Sequence, residues 1–402
     1  MQRRTEERVF IAGAGPVGMV AAACLVRHGI PVTVFETAAN LSKESRASTF
    51  HPSSLDILDE LGFTDELVAS GMIARRLQYR SEEDGIIATF DFSAISDLTR
   101  HPYRLHCEQF NLTRIIHSKL SRDPHFNIEF GMRVCGVAQD EDSVTVKLAG
   151  PDSTTSVRRG RWLIGADGGR SEVRKALGIS FEGFTWPERF LVVTTPFDFG
   201  ARIPGIDPVT YVSASINWHV LLQIPSMWRV TFPVDRQVAN QTASSRDFAE
   251  AALAAVAPGA QDCAAAHFTL YNVHQRVAKT FRLGRACLAG DAAHINNPLG
   301  GMGMNGGIHD AVNLAQRLTR VWRREADDTE MDRYDRQRRL VTLEHIQNHT
   351  IHNKRDIEAH DPRERVRFRN KLSRIASDPP LTRDFLRTVS MIASLERAAE
   401  LG

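Results

Sequence analysis

Three glycine-rich clusters hold residues able to do chemistry. The first is Gly13-Ala14-Gly15-Pro16-Val17-Gly18, followed by Glu36. In this spacing the first glycine permits a tight turn and the second lets a pyrophosphate approach the backbone. The third allows close helix–strand packing. A helix starting there points free N–H groups and a positive dipole end at phosphate. Glu36 suits a ribose diol, and an acid there favours FAD or NAD over NADP. The second cluster is Gly165-Ala166-Asp167-Gly168-Gly169. The third runs from Gly290-Asp291 through Asn297-Pro298 to Gly303-Met304-Asn305.

The elements around these clusters must place them. Residues 7–12 form a β-branched and aromatic run, residues 14–28 have helical periodicity, and residues 31–35 form a second apolar strand. Residues 161–179 and 284–318 each read as strand, glycine turn and helix, the last helix spanning 305–323. Residues 127–150 alternate as a hairpin or meander with a polar turn at 139–142, and residues 75–92 hold two short strands around 82–85. Within 181–278 the runs 191–199, 209–215, 219–224 and 228–234 predict a mostly antiparallel sheet, with one helix over 245–257. Residues 325–402 read as helical and very polar.

Composition narrows the classes. The 402 residues carry 50 basic and 48 acidic side chains, so no strong field marks a nucleic-acid or membrane partner. Apolar residues make up 42%, which suits a globular chain rather than a disordered one. The 5 cysteines form no Cys-x-x-Cys pair, which predicts neither a disulfide framework nor a zinc site and suits a cytoplasmic compartment. The uncharged run 9–26 follows a basic N-terminus, yet Gly13, Gly15, Pro16 and Gly18 suit neither a signal core nor a membrane helix.

Competing chemistries have weaker signals. His345, His349 and His352 share one helical face, but no His-Glu-x-x-His pattern accompanies them, so no metal is expected. The basic runs 333–339 and 363–371 have acids nearby and read as solvated helix faces. Cys287 lies in an apolar strand, and no Gly-x-Ser-x-Gly elbow marks a hydrolase. His294 reads as a packing residue of the third cluster.

The three clusters, in this order, resemble the flavin-dependent aromatic hydroxylases of the p-hydroxybenzoate and phenol hydroxylase type. A fourth segment, Ser45-Arg46-Ala47 with the helix after it, resembles the family's Arg-Ala segment. The resemblance implies an α/β (α+β) fold: a discontinuous Rossmann-like FAD-binding domain with an inserted mostly antiparallel sheet for substrate and a C-terminal helical region. The implied boundaries are 1–74, 100–180 and 280–324 for FAD, 75–99 and 181–279 for substrate, and 325–402 for the helices. It implies cofactor contacts at Gly13, Gly15, Pro16, Val17, Gly18, Glu36, Thr37, Arg46, Ala47, Gln109, Asp167, Asp291, Pro298, Gly303, Met304 and Asn305.

It further implies a bound FAD, NADH or NADPH as transient co-substrate, O2, and a small electron-rich aromatic attacked through a flavin hydroperoxide. The protein is expected to be a monomer or homodimer. Pro298 would face the reacting edge of the flavin, and His51, Tyr211 and His219 are the candidates for a base. Asn297-Pro298 replaces a frequent Pro-Pro, and the last helix lacks a frequent Trp-Lys-Leu tail. The alternatives are another flavin reaction on the same fold (ubiquinone-type hydroxylation, epoxidation, halogenation or flavin reduction) and a non-enzymatic FAD-binding or partner-binding protein. The segment from Asn217-Trp218 to Ile224-Pro225 does not match the halogenase pattern.

Overall fold

The computed structural model describes residues 6–44, 47–214, 218–263 and 265–402. Its first sheet has a parallel centre, in the order Ala286–Leu288, Thr155–Gly165, Glu6–Ala12, Val32–Glu36 and Phe126–Phe130. Parallel strands covered on both faces need near-continuous apolar runs, and Val9, Phe10, Ile11, Val32, Val34 and Phe35 are all buried. Arg133–Gln139 and Val144–Ala149 form a hairpin and Val144–Ala149 pairs onto Thr155–Gly165, whereas the start of the expected 127–150 hairpin lies in Phe126–Phe130, a parallel edge strand.

The helix Pro16–Arg27 starts two residues later than its periodicity suggests. Gly13 takes the left-handed region (φ +98°) and Gly15 is extended, so the chain turns before Pro16 opens the helix. That helix is buried from Gly18 to Val26 and packs between Gln109–Leu120 and Met302–Trp322. The Met302 helix begins three residues earlier than expected, because Gly300 (φ +106°) and Gly301 (φ +70°) redirect the chain just before it.

The second sheet is mixed. Its order is His294–Ile295, His267–Ala278, Phe181–Thr195, Met227–Val234, His219–Ile224, Val209–Ser213, Arg76–Ser81 and Gly85–Asp91. All its pairs are antiparallel except Val209–Ser213 beside Arg76–Ser81. The strand Phe181–Thr195 is longer upstream than its pattern shows, because Gly183 and a bulge between Thr185 and Arg189 interrupt the alternation. It stops short of residue 199, where the Asp198 side chain caps the short helix Phe199–Arg202. His267–Ala278 is a central pairing partner that the sequence pattern did not single out.

Strand alternation gives this sheet two different faces. Leu191, Val193, Val212, Leu221, Val230 and Phe232 pack together on one side, under Ala249 and Leu253 of the helix Arg246–Val256. Phe190, Val209, Tyr211 and Val220 lie on the other side. They meet Leu299 and the C-terminal helical residues Ile357, Phe368, Leu372 and Leu386. A small third sheet, Thr49–Phe50, Arg104–His106 and Met72–Ala74, lies between the two large ones.

The C-terminal region is helical as expected, with a π-helical turn at Thr342–Gln347. Its polarity conceals buried anchors. Arg338 is 1% exposed and donates from Nε to Asp310 Oδ1 at 2.7 Å.

Candidate active site

The first turn divides its work among three glycines. A Cβ on Gly13 would stand 2.5 Å from the Ala166 carbonyl oxygen, and one on Gly18 would stand 2.0 Å from the Gly13 carbonyl oxygen. Those two glycines are required by packing. At Gly15 the same test meets nothing within 4 Å, so its backbone faces open space. The Pro16 helix has no capping side chain and no acid in its first turn. Its first N–H groups are therefore free for an anion. Glu36 accepts from Ala14 N at 2.8 Å and from Ala38 N at 2.9 Å, which fixes the carboxylate at the strand tip beside exposed Thr37. Val17 wedges against Gly290 and Gly307, whose Cβ positions lie 2.8 and 2.5 Å from its Cγ2.

Two of the other expected cofactor segments adjoin this turn, with the Asp167 Cα 3.1 Å from the Gly13 Cβ position and Gly290 against Val17. Arg46 lies outside the described residues. Ala47 accepts from Gln109 N at 3.0 Å, which places two expected contacts side by side. Asp167 spends its carboxylate on the helix Glu172–Ala176, accepting from Ser171 Oγ at 2.5 Å, Glu172 N at 2.8 Å and Val173 N at 3.1 Å. Asp291 is exposed on its short turn. Gly303 faces open space apart from Asn296 Oδ1, a buried oxygen with no hydrogen-bond partner, 3.5 Å from its Cβ position. The Met302 helix, like the Pro16 helix, begins with neither a capping side chain nor an acid. Two uncapped helix ends suit a diphosphate and an electron-rich ring, so these residues fit FAD.

The segment from Pro298 to Asn305 is held by side chains from distant parts of the chain. Gly300 N donates to Tyr211 Oη at 3.0 Å, and His51 Nε2 lies 2.8 Å from the Gly300 oxygen. A carbonyl only accepts, so His51 carries its proton on Nε2. Asn305 Oδ1 accepts from His51 N at 2.9 Å, while Asn305 Nδ2 donates to Thr49 O and Gly301 O. Pro298 is exposed and accepts from Gly301 N at 2.9 Å. Burial, and then the nearby Arg104 guanidinium, hold His51 well below the ordinary imidazole range.

Of the three candidate bases, two thus meet at Gly300 and one does not. The hydrogen bonds of His51 and Tyr211 hold the backbone on either side of the Gly300 Cα, which is a different task from abstracting a proton. His219 requires a correction. It pairs with Val212 and approaches Phe232 at 6.2 Å, on the face opposite Tyr211. Adjacent residues on a strand point to opposite faces, so Tyr211 and a group paired with Val212 cannot line one pocket.

Several residues at the site had no strong sequence signal. Alternation along Arg104–His106 turns Leu105 into the first core with Phe50. It turns Arg104 and His106 to the side that His51 occupies. His106 Nδ1 donates to Gln223 O at 2.6 Å, and burial lowers its imidazole to about 3. Arg104 is 2% exposed and donates to Val389 O at the end of the helix Pro379–Val389. Among the described residues no carboxylate pairs with it. Arg229 is buried between Ser48 Oγ and Glu108 Oε1, each 2.7 Å away, and ties the second sheet to the Ala47–Gln109 corner.

The third cluster has its own support. Asp310 Oδ2 accepts from Gly290 N at 3.0 Å and meets His294 Nε2 at 2.8 Å, while Arg338 holds Oδ1. Burial alone would raise the Asp310 carboxyl, but His294 and Arg338 outweigh it and hold the group below the usual carboxylate range. His294 thus packs and bonds as expected. Among the described residues no three His, Cys, Asp or Glu side chains converge as metal ligands, and His352 Nδ1 bonds Asn348 O.

One part of the second sheet remains open. Val192, Thr231, Val220 and Tyr211 form a cross-strand row on the inner face. Val192 and Thr231 are only half-buried despite lying on central strands, as are Leu222 and Tyr271 on the same face. Burial pushes the Tyr271 hydroxyl up, so it stays a donor. This row leads through Tyr211 to Gly300, an apolar floor with two hydroxyls ending at the loop of the third cluster.

A nucleotide turn, two uncapped helix ends and a sheet facing the glycine loop define an FAD-binding protein with a site between two sheets. A family model described as "FAD binding domain" matches residues 6–349. The para-nitrophenol 4-monooxygenase of Pseudomonas sp. (strain WBC-3) is 33% identical over 387 residues, covering 95% of each chain. The 6-hydroxy-3-succinoylpyridine 3-monooxygenase of Pseudomonas putida (strain DSM 28022 / S16) is 32% identical, over 95% of this chain and 97% of that one. The crystal structure of a p-nitrophenol 4-monooxygenase from Pseudomonas putida DLL-E4 superposes with a TM-score of 0.91 at 30% identity, covering 98% and 99% of the two chains. The chain belongs to the FAD-dependent aromatic hydroxylases and is a flavin-dependent monooxygenase. No helix among the described residues is long and apolar enough to cross a membrane.

Proposed function

We propose that this monooxygenase hydroxylates a small electron-rich aromatic, phenolic or a hydroxylated N-heterocycle, with O2 and with NADH or NADPH as reductant. The observation that carries the reading is the half-buried Val192–Thr231 region, which leads through Val220 and Tyr211 to the Gly300 loop. A flat apolar ring fits such a floor, and Thr231 and Tyr271 offer hydroxyls to its polar substituent. The relatives named for a nitrophenol and for a hydroxypyridine support the same two substrate classes.

Segments 1–74, 100–180 and 280–324 would hold FAD, segments 75–99 and 181–279 would hold substrate, and 325–402 would cover the inner face. Gly13, Gly15, Pro16, Val17 and Gly18 would receive the diphosphate, and Glu36 and Thr37 the adenosine ribose. Asp291 would meet the ribityl chain. Gly303, Met304 and Asn305 would offer backbone N–H groups to the ring. Arg46, Ala47, Gln109 and Asp167 would complete the cofactor's surroundings, and Pro298 its reacting edge. When bound, FAD supplies hydride acceptance and O2 activation; the protein supplies position and exclusion of water. The free state of all five cysteines among the described residues supports a reducing cytoplasm.

The test is anaerobic mixing of the holoenzyme with NADH or NADPH, with and without 4-nitrophenol, hydroxybenzoates and hydroxypyridines. Faster flavin bleaching with one aromatic, and a product carrying one oxygen atom from 18O2, are expected. Equal bleaching with every aromatic and no oxygenated product would refute the reading.

A further inference from the structure

We propose that the Gly300 backbone is a latch through which the substrate-facing sheet sets the position of the flavin-facing loop, with Tyr211 and His51 as its positioning residues. The proposal rests on the hydroxylase reading above and adds a mechanism of coupling within it.

Each residue has one backbone donor and one backbone acceptor, on the two peptide units that flank its Cα, and buried ones must be satisfied. At Gly300 each goes to a side chain from a different sheet. Its N–H donates to Tyr211 on the second sheet, and its carbonyl accepts from His51 at the end of the small sheet. Gly300 sits at φ +106°, open to glycine but strained for other residues, so the peptide takes an orientation that a side-chain-bearing residue would resist. Any displacement of the loop toward or away from the ring site must break or drag both bonds.

Both holders are themselves rigid. Tyr211 stacks on Tyr79 at 5.2 Å, and Tyr79 is boxed by Phe90, Phe368 and Phe385. The His51 backbone is pinned by Asn305 Oδ1, and its ring is wholly buried. Tyr211 therefore follows the sheet, and His51 follows the Met302 helix. Val220 is the cross-strand neighbour of Tyr211, and Thr231 is the next in the row. A ring seated over Thr231 lies two side chains from the latch. Pressure on that row reaches Gly300 N–H through one rigid phenol, while the His51 bond holds the next peptide unit, across the Gly300 Cα.

Tyr211→Phe keeps the stacked ring and removes the acceptor. In the holoenzyme, hydrogen exchange of the peptide covering residues 298–303 should quicken by about 5- to 10-fold, the loss expected for one hydrogen bond. FAD affinity should change by less than about 2-fold. The ratio of bleaching rates with and without 4-nitrophenol should fall by about 5-fold or more, and the share of NAD(P)H lost to hydrogen peroxide should rise. His51→Leu should behave alike. His51→Gln, whose amide can still donate to Gly300 O, should restore both exchange and bleaching ratio.

Unchanged exchange in both Tyr211→Phe and His51→Leu would overturn the latch. Faster exchange with an unchanged bleaching ratio would leave only a structural bond and also overturn it. If no aromatic accelerates bleaching of the wild-type enzyme, the hydroxylase reading falls, and the latch is overturned as well unless both variants quicken exchange and change the rate at which NAD(P)H bleaches the flavin without an aromatic.

Discussion

The turn at residues 13–18 and the loop at residues 296–305 both address the cofactor, but they are built by opposite means. The turn is a local object. Its glycines are required by atoms of the turn itself and of the adjoining strand end, with Gly18 meeting the Gly13 oxygen and Gly13 the Ala166 oxygen. The loop is held from a distance. Gly300 and Asn297 are gripped by Tyr211, His51 and Gln275, and Thr350 accepts from Asn297 Nδ2. A site for an anion can be rigid and self-contained, because a helix end already supplies N–H groups. A site beside a reacting ring is tied to the surfaces that bring substrate and cofactor together.

Substitutions can break this comparison at either end. The largest effect is expected in the turn. Gly18→Val places a Cβ on the Gly13 carbonyl, so FAD should fail to bind and the soluble yield should collapse, as read by flavin absorbance of the purified protein. Retention of stoichiometric FAD would show that the turn is less self-contained than its geometry says.

The support beneath the loop comes next. Asp310→Asn leaves Arg338 buried without its partner, which costs about 3–5 kcal/mol in unfolding experiments. The pH dependence has a definite sign. The folded Asp310 carboxyl is held low, so its contribution is present above the ordinary carboxylate value of about 4 and is lost as pH falls below it. Asp310→Asn should therefore flatten the acid limb below that pH. The buried imidazoles act earlier. His106 and His309 are lowered to about 3 and His349 to about 4, so their unfolded forms take up protons first. Wild-type stability should begin to fall as pH drops below about 6.5, the ordinary imidazole value.

A smaller, more selective effect is expected on the open face. Thr231→Val keeps shape and removes a hydroxyl; it should raise KM for a phenolic substrate by about 5- to 20-fold, with kcat changed less and FAD affinity unaltered. The smallest belongs to His219. His219→Gln should leave turnover within about 2-fold and stability within about 0.5 kcal/mol, since its ring is on the other face. A large loss of turnover there would reverse the assignment of faces.

These regions also differ in how far they could be read before the fold was known. Gly15, Gly18 and Glu36 carry their roles in their spacing, since what they need lies within one strand–turn–helix–strand unit, whereas the Ala166 oxygen that Gly13 meets belongs to a distant strand end. The strands 209–213, 219–224 and 227–234 were legible from alternation, but which face would look at the loop was not. That choice put Tyr211 at Gly300 and His219 behind the sheet, although both had equal standing as candidates. His267–Ala278 was missed because a strand wet on part of one face and buried on the other leaves a broken pattern. The polar C-terminal segment concealed Arg338, whose partner Asp310 lies 28 residues away in sequence.

The chain alone determined its nucleotide turn, its order of glycine clusters, its two kinds of sheet and its helical end. Each of these depends on contacts within a few residues or on a repeating period. Tertiary structure decided which side chains hold the loop, which face of the second sheet stays open, and that two supposed bases meet at one glycine. Those outcomes depend on where separate elements come to rest, and strand period specifies that two faces exist without specifying what each will meet.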